Sequence, residues 1–220
     1  MILKVLVGSR AHGLAGPDSD YDYRGVFVRP TSEILALGAK AANVSWVEAD
    51  KQAGEKIDDT SWEIGHYLHL ATHCNPTVLE VLAAPVEFAA EDGDRLRALL
   101  PKVWHPKGVR DAFVGYGLNQ RKKFLEDKDV RPAKYAVAYL RVLYQAWALL
   151  GFGGLVVDFR ETPVFDTLKK WRAGDYTKGE VIDRTLYWQS RVEEAYRRCK
   201  QVPDLGPVND FLLDVRRRCW

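Results

Sequence analysis

The sequence predicts an α+β protein. A small mixed β-sheet with flanking helices occupies residues 1–101, and an all-α helical domain occupies residues 102–220. Three observations carry this. Ile2–Val7 is an aliphatic run stopped by Gly8, and Tyr21–Val28 alternates well enough to be a second strand. After Pro101 the pattern changes to long helical periods, and the stretch 132–150 is apolar nearly all round. The charge changes at the same point: residues 1–101 carry 9 Lys+Arg against 15 Asp+Glu, and residues 102–220 carry 23 against 15. The net charge of +2 thus conceals an acidic half joined to a basic half, a hint of function that names no partner by itself.

Between the first two strands, Ala11–Leu14 suits a short turn or helix, and Ala15-Gly16-Pro17-Asp18-Ser19 a loop. Residues 31–56 are weakly patterned, with room for a helix and part of a hairpin. The apolar positions Trp62, Ile64, Tyr67, Leu68 and Leu70 predict a helix over 62–74. Asn75-Pro76 ends it and starts another, with Asn as cap and Pro at the first helical position. In the second half, helices are predicted over 107–127, 132–150, 164–171, 180–199 and 208–218. Pro132 opens the second of these and Gly151 closes it. Thr177 and Glu180 have capping-box spacing.

With 220 residues the chain can bury a proper core. Its three cysteines, Cys74, Cys199 and Cys219, are widely spaced and form neither a disulfide framework nor a metal motif. No stretch approaches the 18 or so apolar residues of a membrane span, and residues 1–7 lack the marks of a signal peptide. A cytoplasmic protein with reduced thiols, without a membrane partner, is expected.

The chemistry is concentrated in Gly8-Ser9-Arg10-Ala11-His12-Gly13 and Ser19-Asp20-Tyr21-Asp22-Tyr23-Arg24-Gly25. Asp20 and Asp22 alternate on a strand, so their carboxylates share one face. Such a pair repels itself unless a cation lies between, and magnesium suits it. Gly8-Ser9, where strand gives way to turn, suits phosphate oxygens, because glycine admits close backbone approach and N–H groups are exposed there. Each part has a plainer explanation as a turn or a solvated strand end. Their conjunction points to metal-assisted phosphoryl or nucleotidyl transfer.

This order, Gly-Ser, about ten residues, then Asp-x-Asp on a strand, resembles the nucleotidyltransferase superfamily of DNA polymerase β. The segments Gly8–Ala15, Ser19–Phe27, Asn75–Leu82, Lys134–Arg141 and Leu168–Gly174 are similar to the nucleotidyltransferases linked to RNA-repair operons. The resemblance implies that Asp20 and Asp22 bind two magnesium ions, for which manganese can substitute, and that Gly8 and Ser9 hold the triphosphate of a nucleoside triphosphate. It also implies a third carboxylate on a following strand. Asp58 and Asp59 are the candidates; they fall on opposite strand faces, so only one can join the site. Asp59 is favoured because it precedes Thr-x-Trp as the family's acidic residue does. Arg10, directly after the phosphate loop, is a candidate phosphate contact. Arg24 shares the face of Asp20 and Asp22 and is assigned a structural ion pair. Lys134 and Arg141, seven apart on one helix face, are further candidates for the nucleotide. The family often has His where this chain has Ala138.

The likeliest acceptor on this resemblance is an RNA end, with Arg121-Lys122-Lys123 and Arg216-Arg217-Arg218 as candidate phosphate contacts. The competing readings are a nucleotidyltransferase that modifies a protein hydroxyl, as in toxin–antitoxin systems, and an inactive nucleotide- or RNA-binding module. A dehalogenase-type phosphatase also uses Asp-x-Asp, but at the end of a first strand with no glycine turn before it. His66, His69 and His73 form one helical stripe about 10 Å long, too extended to converge on one zinc ion.

Overall fold

A computed structural model describes residues 1–37, 45–48, 57–126 and 131–220. The chain divides into two compact units: residues 1–73 with 77–104 and 203–220, and residues 74–76 with 105–202. The second carries 19 Lys+Arg against 12 Asp+Glu, the first 13 against 18.

The first unit is built on a five-stranded mixed sheet in the order β3-β4-β2-β1-β5. Its strands are β1 (Leu3–Val7), β2 (Tyr21–Phe27), β3 (Ser45–Glu48), β4 (Ile57–Glu63) and β5 (Val86–Ala89). β2 and β4 are parallel; the other neighbours are antiparallel. Alternate residues of β1, Leu3, Val5 and Val7, are buried, as is Val26 of β2, and they make the apolar face of the sheet. Against this unit's core pack α3 (Ile64–Thr72), through Ile64, Tyr67, Leu68 and Ala71, and α4 (Pro76–Ala83), through Val78, Leu79, Val81 and Leu82.

The helix expected over 62–74 is shorter, because β4 runs on through Glu63. The Glu63 side chain then caps α3 by accepting the Gly65 N–H at 2.7 Å. β5 is a strand that the sequence did not announce. It is four residues long, mostly exposed, and among the described residues pairs only with β1, so it carries little apolar alternation. Between β2 and β3 lies α2 (Thr31–Leu35). After β5 come α5 (Glu91–Arg97) and α6 (Leu100–Val103).

The last helix, α11 (Leu205–Arg218), belongs to this first unit although it follows the helical region in sequence. Arg216 reaches Glu63, with Nη1 2.6 Å from Oε1 and Nη2 2.8 Å from Oε2. The Thr31 N–H and hydroxyl both donate to α11 and its end, to the carbonyls of Cys219 and Arg216 at 2.7 Å each.

The second unit contains α7 (Pro106–Glu126), α8 (Pro132–Phe152), α9 (Phe165–Arg172) and α10 (Lys178–Arg198). α8 is its centre, with twelve buried residues. It continues past Gly151 and ends where Gly153 takes φ +74°, the left-handed conformation of a helix cap, with its N–H on the Leu149 carbonyl. The Thr177 side chain accepts from the Glu180 N–H at 3.1 Å and starts α10. Tyr144 and Trp147 of α8 meet Trp188 of α10 with ring centroids 5.0 and 5.3 Å apart. Among the described residues, no helix is long and apolar enough to cross a membrane.

Candidate active site

The site begins where β1 ends. Gly8 has φ +69°, which an L side chain adopts only with strain, and it opens the single turn α1 (Gly8–Ala11). A Cβ built on Gly8 would lie 2.1 Å from Asp22 Oδ2. The carboxylate of Asp22 therefore rests on bare backbone, in space that only glycine leaves. The register explains the meeting, since Val7 and Asp22 are paired across β1 and β2.

The turn is closed by its own backbone: the N–H groups of His12 and Leu14 donate to the carbonyls of Gly8 and Ser9 at 3.0 and 2.9 Å. Ser9 is half-buried beside Gly8. Arg10 ties the turn to the following loop, donating from Nε and Nη2 to the Ser19 carbonyl at 3.2 and 2.7 Å. Its guanidinium also lies 3.8 Å from the centre of the Tyr21 ring. Ser19 Oγ in turn accepts the Gly16 N–H at 2.9 Å. Arg10 thus shapes the approach of the loop to β2. β2 itself starts at Tyr21, so Asp20 sits just before the strand and is exposed. Arg24 donates to the Tyr23 carbonyl at 2.6 Å.

Asp59 is not placed with Asp22. In the parallel pairing of β2 and β4, Asp22 is in register with Asp58, and Tyr23 with Asp59. Alternation therefore puts position 58 on the face of Asp22 and Asp59 on the opposite face. There Asp59 Oδ2 lies 2.7 Å from Lys4 Nζ, and Ser61 Oγ donates to Oδ1 at 3.4 Å. Lys4 also sits 4.6 Å from the centre of the Tyr23 ring. Burial, with the Glu87 carboxylate, holds the Tyr23 phenol above its ordinary pKa; Lys4 opposes the shift. Among the described residues, no three His, Cys, Asp or Glu side chains gather as a ligand set, so Asp20, Asp22 and Asp59 do not form one cluster. The register thus sets position 58, and not the favoured Asp59, on the strand face of Asp22.

Behind the turn lies a pair that no spacing in the sequence signals. His12 and Glu80 are both buried, with Nε2 2.7 Å from Oε1. Along α3, His73 Nδ1 donates to the His69 carbonyl at 2.7 Å. Lys134 and Arg141 are carried by α8 in the other unit. Lys134 is exposed, and Arg141 donates to Gln145 Oε1 at 3.3 Å, with Gln145 bound in turn to the Val156 carbonyl at 2.8 Å. The structure thus assembles Gly8, Ser9, Arg10, Asp20 and Asp22 in one unit and puts Lys134 and Arg141 in the other.

Residues 1–162 match the family described as the RNA repair pathway DNA polymerase beta family. The uncharacterized protein YcgL of Bacillus subtilis (strain 168) is 24% identical over 149 residues, which cover 67% of this chain and 55% of that protein. An uncharacterized 38.9 kDa protein of Enterobacteria phage T4, from the nrdC-mobD intergenic region, is 26% identical over 139 residues, or 62% of this chain and 39% of that one. The match thus spans about half or less of the length of these relatives. A crystal structure of a nucleotidyltransferase-like protein from Exiguobacterium sibiricum 255-15 aligns over 99% of this chain and 74% of its own, at 10% identity and a TM-score of 0.31, too slight a likeness to bear on the fold or the site. The family match takes in the glycine turn, the Asp-Tyr-Asp strand and the whole sheet, and on that basis the chain belongs to the RNA repair pathway DNA polymerase beta family.

Proposed function

We propose that the protein is a metal-dependent nucleotidyltransferase that moves a nucleoside monophosphate from a nucleoside triphosphate to a hydroxyl, with an RNA end as the acceptor. The observation that carries this is the Asp22 carboxylate resting on the left-handed Gly8. A carboxylate and a strand-end glycine turn are the two parts that a metal-bound triphosphate needs side by side.

The donor set fits a hard divalent cation, being all carboxylate oxygen: Asp20, Asp22 and, from its register position, Asp58. Two magnesium ions held there, or manganese in their place, would neutralise the triphosphate and lower the pKa of the attacking hydroxyl. Gly8 and Ser9 are the proposed seat of the triphosphate. Arg10 keeps the loop ending in Ser19 folded toward that seat. The contribution of Lys134 and Arg141 to nucleotide binding rests on the family resemblance. The acceptor hydroxyl releases its proton to water, its oxygen bonds to the α-phosphorus, the bond from α-phosphorus to the bridging oxygen breaks, and pyrophosphate leaves. An RNA acceptor rests on the family and on the net positive charge of the second unit.

The test is incubation of the protein with each labelled nucleoside triphosphate and magnesium, offered RNA ends and protein acceptors separately. Label transferred to RNA, and lost in Asp20→Ala/Asp22→Ala, supports the proposal. Label on protein alone replaces RNA as acceptor. No transfer with any nucleotide, or full activity in the double variant, overturns the catalytic assignment.

A further inference from the structure

We infer that the buried His12–Glu80 pair is a positioning device for the phosphate turn, holding α1 in one orientation against α4; this rests on the triphosphate seat proposed above. His12 is the residue that closes α1. Its N–H donates to the Gly8 carbonyl at 3.0 Å, so any shift of His12 is passed to Gly8 and hence to the space occupied by Asp22. The His12 side chain enters the core, at 6% exposure, and its Nε2 meets Glu80 Oε1 at 2.7 Å, with Glu80 equally buried.

Glu80 is out of place on grounds of stability alone. Its neighbours Val78, Leu79, Val81 and Leu82 on α4 are all buried and apolar. A buried ionic pair gains the fold little over apolar side chains of similar volume, because desolvation offsets the attraction. What it does supply is direction. A hydrogen bond between an imidazole edge and a carboxylate fixes both position and rotation of the ring, whereas apolar packing tolerates sliding. The pair links segments 68 residues apart, and its loop end is the same backbone that closes over Gly8 and Ser9. His12 and Glu80 are therefore positioning residues that act through the turn.

The experiment compares the full chain with His12→Leu/Glu80→Leu, which keeps the core apolar, and with Glu80→Gln, which keeps an oxygen for Nε2. Melting temperature, amide hydrogen exchange of residues 8–14, and the affinity for a non-hydrolysable nucleoside triphosphate with magnesium are read on all three. The double variant is expected to melt within a few degrees of wild type. Its amides in residues 8–14 should exchange roughly tenfold faster or more, while those of the sheet stay unchanged. Its triphosphate affinity should fall about 10- to 100-fold. Glu80→Gln is expected to restore both readouts to within about threefold, as a preserved hydrogen bond would. A folded double variant with unchanged exchange in residues 8–14 overturns the inference whatever happens to ligand binding. A double variant that does not fold makes the pair a stability element and overturns it too. A wild-type chain that binds no triphosphate overturns the proposed function instead, and the exchange readout still decides the role of the pair.

Discussion

Lys4 Nζ and Asp59 Oδ2 lie 2.7 Å apart across the sheet, on the face opposite the one that brings Asp22 to Gly8. The two faces have different work. One sets a carboxylate against a glycine turn, and the other ends in a partly exposed ion pair. Replacing neighbouring aspartates should therefore have unlike effects. Asp58→Asn is expected to lower nucleotidyl transfer by roughly 100-fold or more, as loss of a metal-holding carboxylate does. Asp59→Asn should leave activity within a few-fold and cost about 0.2–1 kcal/mol of stability, the range for exposed pairs. Initial rates and urea unfolding of both variants check this, and equal loss in the two would contradict the face assignment.

Gly8→Ala tests the seat of Asp22. The left-handed backbone alone costs an alanine about 1–2 kcal/mol, and the added methyl would fall on the Asp22 carboxylate. The variant should fold, melt lower and lose activity together with magnesium affinity. Isothermal titration with magnesium separates this from simple unfolding. A variant with intact magnesium binding would show that Asp22 can leave the turn without consequence.

Glu63 is fully buried and Arg216 is half-buried. Arg216→Ala removes the partner of a buried charge and is expected to cost about 3–5 kcal/mol, nearer the lower figure because the Gly65 N–H still donates to Glu63. Replacing both, as Glu63→Leu with Arg216→Met, should cost less than the single change. Urea midpoints of the two variants provide the comparison.

Burial pushes the Cys74 thiol above its ordinary pKa, against a smaller lowering by a backbone hydrogen bond with His105. A raised value means less thiolate at a given pH, so Cys74 should resist alkylation while Cys199 and Cys219 react. The sign for stability follows: above the ordinary thiol range the unfolded chain releases its proton first, and stability falls as pH rises. Mass spectrometry after iodoacetamide treatment, with and without urea, reads the order of labelling.

Much of this was legible in the residues. The aliphatic run ending at Gly8, the strand from Tyr21 and the proline-opened α8 are local patterns, and they appear where local patterns place them. What escaped is set by distance or parity. Asp58 and Asp59 differ in strand parity, and a one-residue difference moves a side chain through the sheet. β5 is too short and exposed to announce itself. His12–Glu80 and Glu63–Arg216 join positions 68 and 153 residues apart, and no window along the chain contains both partners.

The return of α11 to the first unit sets the order in which the molecule can be completed. Chain leaves that unit after Trp104 and re-enters at Pro203, and at this neck the Asp204 N–H donates to the Lys102 carbonyl at 3.1 Å while Lys102 Nζ meets Asp204 Oδ2 at 3.1 Å. During synthesis the sheet therefore emerges long before the helix that supplies Arg216. Until then Glu63 lacks the guanidinium that pairs with it, and the first unit waits unfinished while the helices of the second unit are made. A ribosome paused before residue 205 should carry a nascent chain that proteases still cut in β4, and the released 220-residue chain should resist cutting there.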